Sequence, residues 1–389
     1  MRFFNKFFNF IFLLILILPL IFVDLSKNRI SVQENRMLAD HPKLADIKKH
    51  PVKFLQSFDD WFKDSIGFRE QLISVYNVMG MNTWMNKYMY KKGDFIYLVG
   101  ENGHHFYGGK NSSLIRRFKG EQIFSDGQLA NLANKLEEIK VYLGKKGIPF
   151  LIMLCAFKEE IYPEFYPKLF KRGSESALLD LITDYLKENT DIDIFNIRQA
   201  LLAEKDNYLL YPVSSGDLSH YTEIGAFFAY RELMKHINIY FPKITPFEID
   251  DIEITYDKYY EGVQEPVVSL KKEQTYKKLD PSFFNDIDVK WLFPWEYTAY
   301  ENKNPNLPVI LVFCDSYIGY YSPNEEKKFI SQFLASHFSR AIFIHRMNIK
   351  HFEEYIEKYK PDIVVYESVS IEFDDIIEVP ELADVSVSK

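Results

Sequence analysis

The sequence has only two cysteines in 389 residues, Cys155 and Cys314. Each lies in its own apolar run, and no C-x-x-C pair occurs. That excludes a disulfide framework and a cysteine-ligated metal site. The nine histidines include no H-x-x-x-H or similar pair, so a histidine metal site is not expected either. Neither a P-loop nor a dinucleotide fingerprint is present, and no cofactor is expected. A basic surplus is also lacking. Forty-seven Lys and Arg stand against 55 Asp and Glu, a net charge of −8. Binding to a nucleic-acid backbone would need the opposite balance. There is no internal repeat and no low-complexity tract. What is present is the balance of a folded chain: 47% hydrophobic, 16% aromatic and 26% charged residues.

Long apolar runs are scarce too: Phe7 to Val23 has no second like it. It carries no charge, and as a helix it spans roughly 26 Å, close to the hydrocarbon thickness of a bilayer. Arg2 and Lys6 precede it and Asp24 follows, so the positive-inside rule leaves the short N-tail in the cytoplasm. The Leu-Ile-Phe-Val-Asp-Leu end is a poor cleavage site. Residues 1–24 are therefore expected to be a cytoplasmic tail and an uncleaved transmembrane anchor. The body would be extracytoplasmic, in a single-pass protein of the cell membrane.

Residues 25–125 read as a helical leader followed by a Gly-rich hairpin. Phe54, Leu55, Phe58, Trp61 and Phe62 recur at helical spacing, and Phe68 to Met89 continues in helical fashion. Tyr97 to Gly109 is turn-like and predicts the hairpin. From residue 126 strands alternate with helices. The apolar runs Phe150–Cys155 and Val309–Cys314 predict parallel strands buried on both faces. Further strands are expected at Ile192–Ile197, Ala341–Ile344 and Ile363–Tyr366. Helices are expected at Leu129–Lys146, Leu178–Lys187, Thr222–Ile237, Glu325–Phe338 and Lys350–Tyr359. The alternation predicts an α/β domain over 126–373 with a mostly parallel sheet flanked by helices. Residues of about 242–308, rich in Tyr, Lys, Asp and Glu, read as an insertion of irregular or β structure. Residues 374–389 read as a loose tail.

Two motifs carry chemistry. Cys314-Asp315-Ser316-Tyr317 directly follows the second buried strand. A serine there sits at the crevice where open α/β sheets bind ligands, with backbone N–H groups at hand for an oxyanion. Alternatively Asp315 or Ser316 only caps a turn. Gly216-Asp217-Leu218-Ser219-His220-Tyr221-Thr222 opens a helix. There Asp217 can bond His220 and fix its tautomer, or Asp217 or Thr222 can simply cap the helix. Together the motifs supply Ser316 as nucleophile, His220 as base and Asp217 as its orienting carboxylate.

At these residues the chain resembles the alginate O-acetyltransferase family, membrane-anchored or periplasmic relatives of the SGNH hydrolases. Glu34-Asn35-Arg36 and Asp64-x-x-x-Phe68-Arg69 match its leader, and Gly100-Glu101-Asn102-Gly103 its glycine turn. Phe157-Lys158 with Ile161-Tyr162-Pro163-Glu164 matches the segment after its first core strand. Asp217 and His220 fall at its Asp-His pair, Val312 to Tyr317 at its Gly-Asp-Ser turn, and Pro361 to Glu367 at its closing strand. The Asp-His pair precedes the serine, as in the acetyltransferase branch. Two residues separate Asp217 from His220 where the family has one, a spacing shared with SGNH esterases. Tyr221 replaces a Trp, and Cys314 a Gly.

The resemblance implies an SGNH hydrolase-like sheet and an extracytoplasmic acetyltransferase. Ser316 would take an acetyl group delivered by a multipass membrane-bound O-acyltransferase and pass it to a hydroxyl of an exported polysaccharide. The alternatives are a carbohydrate acetylesterase of the same chemistry, or a non-catalytic scaffold of a polysaccharide export complex.

Overall fold

The computed structural model describes residues 17–24, 26, 30–31, 36–39, 41–43, 47, 51–69, 71, 88–92, 95–110, 113–120, 124–173, 178–214, 218–258, 264–285, 297–318, 329–369 and 373–382. The chain forms two compact units, residues 1–88 and 89–389.

In the first unit, residues 17–21 are helical. The rest of the predicted anchor, residues 7–16, lies outside the described residues. Among the described residues no helix is long and apolar enough to cross a membrane. Strands β1 (Ile30–Ser31) and β2 (Arg36–Met37) pair antiparallel. Helix α1 (Pro51–Ser65) follows, with Phe54, Phe58 and Phe62 stacked along one stripe. Asp64, nearly the last residue of α1, is buried. It accepts the Ala39 N–H at 2.8 Å and pairs with Arg69 at 3.4 Å. The leader motif is thus a structural knot at the end of α1. The helix predicted over Phe68–Met89 lies almost wholly outside the described residues.

The second unit opens with an antiparallel meander of β3 (Met89–Lys92), β4 (Phe95–Val99) and β5 (His105–Lys110). The turn between β4 and β5 puts Asn102 and Gly103 at positive φ, a conformation that glycine adopts without strain. Helix α2 (Ser113–Phe118) packs on β5. Helix α3 (Asp126–Lys145) begins at a capping box made by Ser125 and Gln128. Then come β6 (Phe150–Cys155), α4 (Lys158–Ile161), α5 (Leu178–Asn189), β7 (Asp193–Asn196), α6 (Arg198–Glu204) and α7 (Glu223–Tyr240). After them lie β8 (Ile252–Lys258), β9 (Gln264–Leu270), β10 (Tyr276–Lys278), β11 (Tyr297–Asn302) and β12 (Val309–Cys314). The chain continues through α8 (Ile330–Ala335), β13 (Arg340–His345), α9 (Phe352–Tyr359) and β14 (Ile363–Val369).

This is a mixed α/β fold around one large sheet of order β10-β11-β13-β12-β14-β6-β7. The five strands from β13 to β7 are parallel, and β11 runs antiparallel against β13. Every residue of β6, β12 and β14 is buried, because helices cover both faces of a parallel sheet. On β7, Phe195 stacks on His236 of α7, while the next residue, Asn196, bonds Thr183 and Asp180 of α5. Successive strand residues face opposite ways, so α7 and α5 lie on opposite faces. Helix α9 joins the α5 side: Phe313 of β12 packs on Phe352, which also meets Tyr142 of α3.

Within residues 242–308, among the described residues, β8 and β9 pair only with each other. β10 and β11 instead extend the main sheet past β13. They cover what would otherwise be an open edge. The alternation of long helices carries no information about such an antiparallel addition, so the sequence pattern did not place it.

Candidate active site

The carboxyl ends of the parallel strands form one rim of the sheet. Ser316 stands there, in a single helical turn (Ser316–Ile318) directly after β12. The turn is tied down on three sides. Asp315 is buried; its Oδ1 accepts the Tyr317 N–H at 2.9 Å and its Oδ2 the Val369 N–H of β14 at 2.9 Å. Glu367 of β14 accepts the Asp315 N–H at 3.1 Å. Arg346, which follows β13, lies 3.9 Å from Asp315 Oδ2 and also pairs with Asp375. Asp315 therefore does cap this turn, and Ser316 is free to point outward beside it. Cys314 ends the extended ladder without a positive φ. A glycine is not needed at that position.

His220 arrives on a different kind of segment, outside any helix or strand, in the described residues 218–222 ahead of α7; residues 209–214 run beside its end. The two stretches meet at Thr222: the Thr222 N–H donates to Leu210 O at 3.0 Å and its Oγ1 to Leu209 O at 2.6 Å. Thr222 also caps α7 through the Gly225 N–H. A Cβ at Gly225 would stand 2.4 Å from Leu210 O, so the helix start can approach Leu210 only without a side chain.

Ser316 and His220 are brought together. His220 Nε2 lies 2.6 Å from Ser316 Oγ, across 96 positions of sequence. Both side chains are partly exposed while Asp315, Tyr317, Leu218 and Tyr221 around them are buried. For Nε2 to accept the serine proton, Nδ1 must carry the ring proton. Ser219 Oγ stands 3.2 Å from Nδ1. Asp217, the carboxylate expected at this position, lies outside the described residues.

Tyr317 joins the two halves. Its hydroxyl donates to Ser219 O, and its ring meets those of His220 at 4.8 Å, Tyr221 at 4.9 Å and Phe157 at 5.8 Å. Burial holds the Tyr317 hydroxyl protonated, well above its ordinary range, so it keeps the proton it donates to Ser219 O. The thiol next to the serine, Cys314, is also pushed up by burial and then by Glu367 and Asp315. It is no thiolate and does not compete as nucleophile.

The sequence motifs did not include Tyr317 or Glu367 as site residues. The signal for Glu367 was visible: one acid inside the apolar strand IVVYESV. Lys158 and Glu159 carried a similar signal, two charges directly after FLIMLCAF, and both are buried. Burial pushes the Glu159 carboxyl up to about 8, against the pull of Arg117.

Three other histidines serve packing. His236 bonds Asp193 at 2.8 Å, and His337 bonds the Tyr230 hydroxyl at 2.6 Å. His104 stacks on Phe165 at 4.2 Å. Burial lowers both His104 and His337 to about 4, so both rings are neutral at neutral pH. Among the described residues no cluster of three or more His, Cys, Asp or Glu is placed to hold a metal.

Fold and site define a mixed α/β protein with a serine–histidine pair at the carboxyl rim of a mostly parallel sheet. No family model matches the chain, and no curated protein matches it. Among solved structures it is similar to a DHHW family protein from Eubacterium siraeum, at 13% identity and TM-score 0.50, over 75% of this chain and 96% of that one. It is also similar to PatB1 of Bacillus cereus with a sulfonyl adduct (14%, TM-score 0.49, 73% and 97%). A further match is the O-acetyltransferase domain of AlgJ from Pseudomonas putida (12%, TM-score 0.45, 72% and 92%). Identity this low speaks to the fold alone, and only for the first of the three.

Proposed function

We propose that the protein is an extracytoplasmic O-acetyltransferase of SGNH hydrolase-like type, acting on hydroxyls of an exported or cell-surface polysaccharide. The observation that carries this reading is the 2.6 Å approach of His220 Nε2 to Ser316 Oγ at the sheet rim. The motif resemblance at Ser316, His220 and Asp217 supplies the acetyl and polysaccharide parts. Ser316 Oγ attacks the acetyl carbonyl of the donor, and its proton passes to His220 Nε2. The donor oxygen leaves with that proton, and an acetyl-serine remains. An acceptor hydroxyl then attacks the acetyl-serine and gives its proton to His220, which returns it to Ser316. The Asp315 and Tyr317 N–H groups are engaged by Glu367 and Asp315. The Ser316 N–H is the turn's remaining candidate donor for the oxyanion. Asp217 orients His220, the run Phe7 to Val23 anchors the chain in the cell membrane, and a multipass O-acyltransferase delivers the acetyl group.

The spacing of two residues between Asp217 and His220 favours a second reading, an acetylesterase in which water replaces the sugar hydroxyl. One experiment separates them. Purified protein is given an acetylated donor ester and an oligosaccharide acceptor, and acetyl-enzyme, acetylated acceptor and free acetate are followed by mass spectrometry. Acetylated acceptor in excess of free acetate is expected. Acetate release alone would establish the esterase, and no acetyl on Ser316 would sink both readings.

A further inference from the structure

We propose that Lys158 is a positioning residue for His220: its ammonium clamps the chain at Pro212 and Val213, ahead of His220 in sequence, and so keeps the imidazole on Ser316. The inference rests on the reading of Ser316 and His220 as nucleophile and base.

Lys158 opens α4 three residues after β6 and is 2% exposed. Its Nζ has three acceptors, all main-chain carbonyls: His105 at 2.6 Å, Val213 at 2.9 Å, and Pro212. Pro212 and Val213 lie ahead of His220 in sequence. His105 belongs to β5, and its own N–H donates to Val213 O at 2.7 Å. The chain after His220 is already held by Thr222 on Leu209 and Leu210. Lys158 supplies the corresponding hold ahead of it. An ammonium has three N–H donors, one for each carbonyl. No neutral side chain of this reach offers three.

The charge is costly where it stands. The Phe106 ring lies 4.8 Å below Nζ. Burial lowers Lys158 to about 7, against the pull of Glu159 on α4 and Glu265 on β9. His104, in the turn before β5, also faces it and is neutral. Once deprotonated, the amine keeps two N–H groups and turns a lone pair toward the third carbonyl. The clamp therefore weakens as pH rises through about 7.

Stability runs the other way. The unfolded lysine keeps its proton up to about 10.5, so between these values the unfolded state binds more protons and this group's contribution rises with pH. Reactivity falling while stability holds is a signature that general unfolding does not produce.

The test is the rate at which phenylmethylsulfonyl fluoride labels Ser316, read by mass spectrometry, with Tm measured alongside. Lys158→Met should slow labelling by about 10–100-fold near pH 6, measured well below its own Tm, since a small displacement of a catalytic group has that scale of effect. Wild-type labelling should decline above about pH 7 with no fall in Tm. Lys158→Arg, which stays charged, should lose that decline. Labelling of Lys158→Met within twofold of wild type at an unchanged Tm would overturn the inference. Should that variant not fold, a wild-type rate that stays level to about pH 9 would overturn it. Ser316→Ala keeps the two readings apart. If it is labelled as fast as wild type, the assignment of Ser316 has failed, not the clamp.

Discussion

The two halves of the site are built differently. Ser316 stands on a scaffold: an all-buried strand, then a turn held by Asp315 and Glu367 from within the sheet. His220 stands two residues before Thr222, outside any helix or strand, where Thr222 bonds Leu209 and Leu210 and Lys158 bonds Val213. Scaffolds fix a group by packing, which changes little with a single surface bond. Loops fix it by a few hydrogen bonds, each of which counts. The proposed nucleophile should therefore be insensitive to remote changes, and the proposed base sensitive to them.

The largest effect removes either reacting group. Ser316→Ala and His220→Ala should each lower acetyl transfer by about 10⁴-fold or more, at unchanged Tm. The double variant should be no worse than either alone, because the groups act as one unit. Additive losses in the rate assay would mean that the 2.6 Å pair is not the working pair. Asp217→Asn should cost less than either.

Next comes the link between the halves. Tyr317→Phe removes the hydroxyl that donates to Ser219 O but keeps the ring against His220 and Tyr221. A loss in kcat of about tenfold with KM little changed is expected, from one hydrogen bond at a positioned loop. A change in KM alone would place Tyr317 on the substrate rather than between the loops.

The difference between the halves also governs what could be read beforehand. Val309–Cys314 was legible to the residue, because a strand buried on both faces has to be a continuous apolar run. So was Phe150–Cys155, and Thr222 was among the expected caps of α7. The serine followed from its place at the end of such a strand. His220 was legible only as a motif, since nothing in a loop's composition says where its ends are tied. Tyr317 and Lys158 donate to main-chain carbonyls of residues far off in sequence, at Ser219 and at His105, Pro212 and Val213. No spacing rule reports such bonds. β10 and β11 joined the sheet for a similar reason, through an edge that local pattern does not see.

The smallest effect on catalysis is expected deepest in the scaffold, at Glu367, where stability should respond instead. The side chain is fully buried and its carboxylate oxygen takes the Asp315 N–H. Burial, then the neighbouring Asp315, pushes its carboxyl well above the usual range. The folded state thus keeps a proton that the unfolded state loses above about 4.5, so this residue's contribution falls as pH rises from there. Glu367→Gln retains an acceptor and cannot ionise. It should match wild type within about 1 kcal/mol near pH 4 and gain on it toward neutral pH, giving a flatter curve in denaturant titrations. Glu367→Leu cannot ionise either, but leaves the buried Asp315 N–H without its acceptor, and should lie about 1–3 kcal/mol below Glu367→Gln at both pH values. If Gln and Leu behave alike, the bond to Asp315 contributes nothing, and the rigidity of the serine turn must come from Asp315 and its bonds to Tyr317 and Val369 alone.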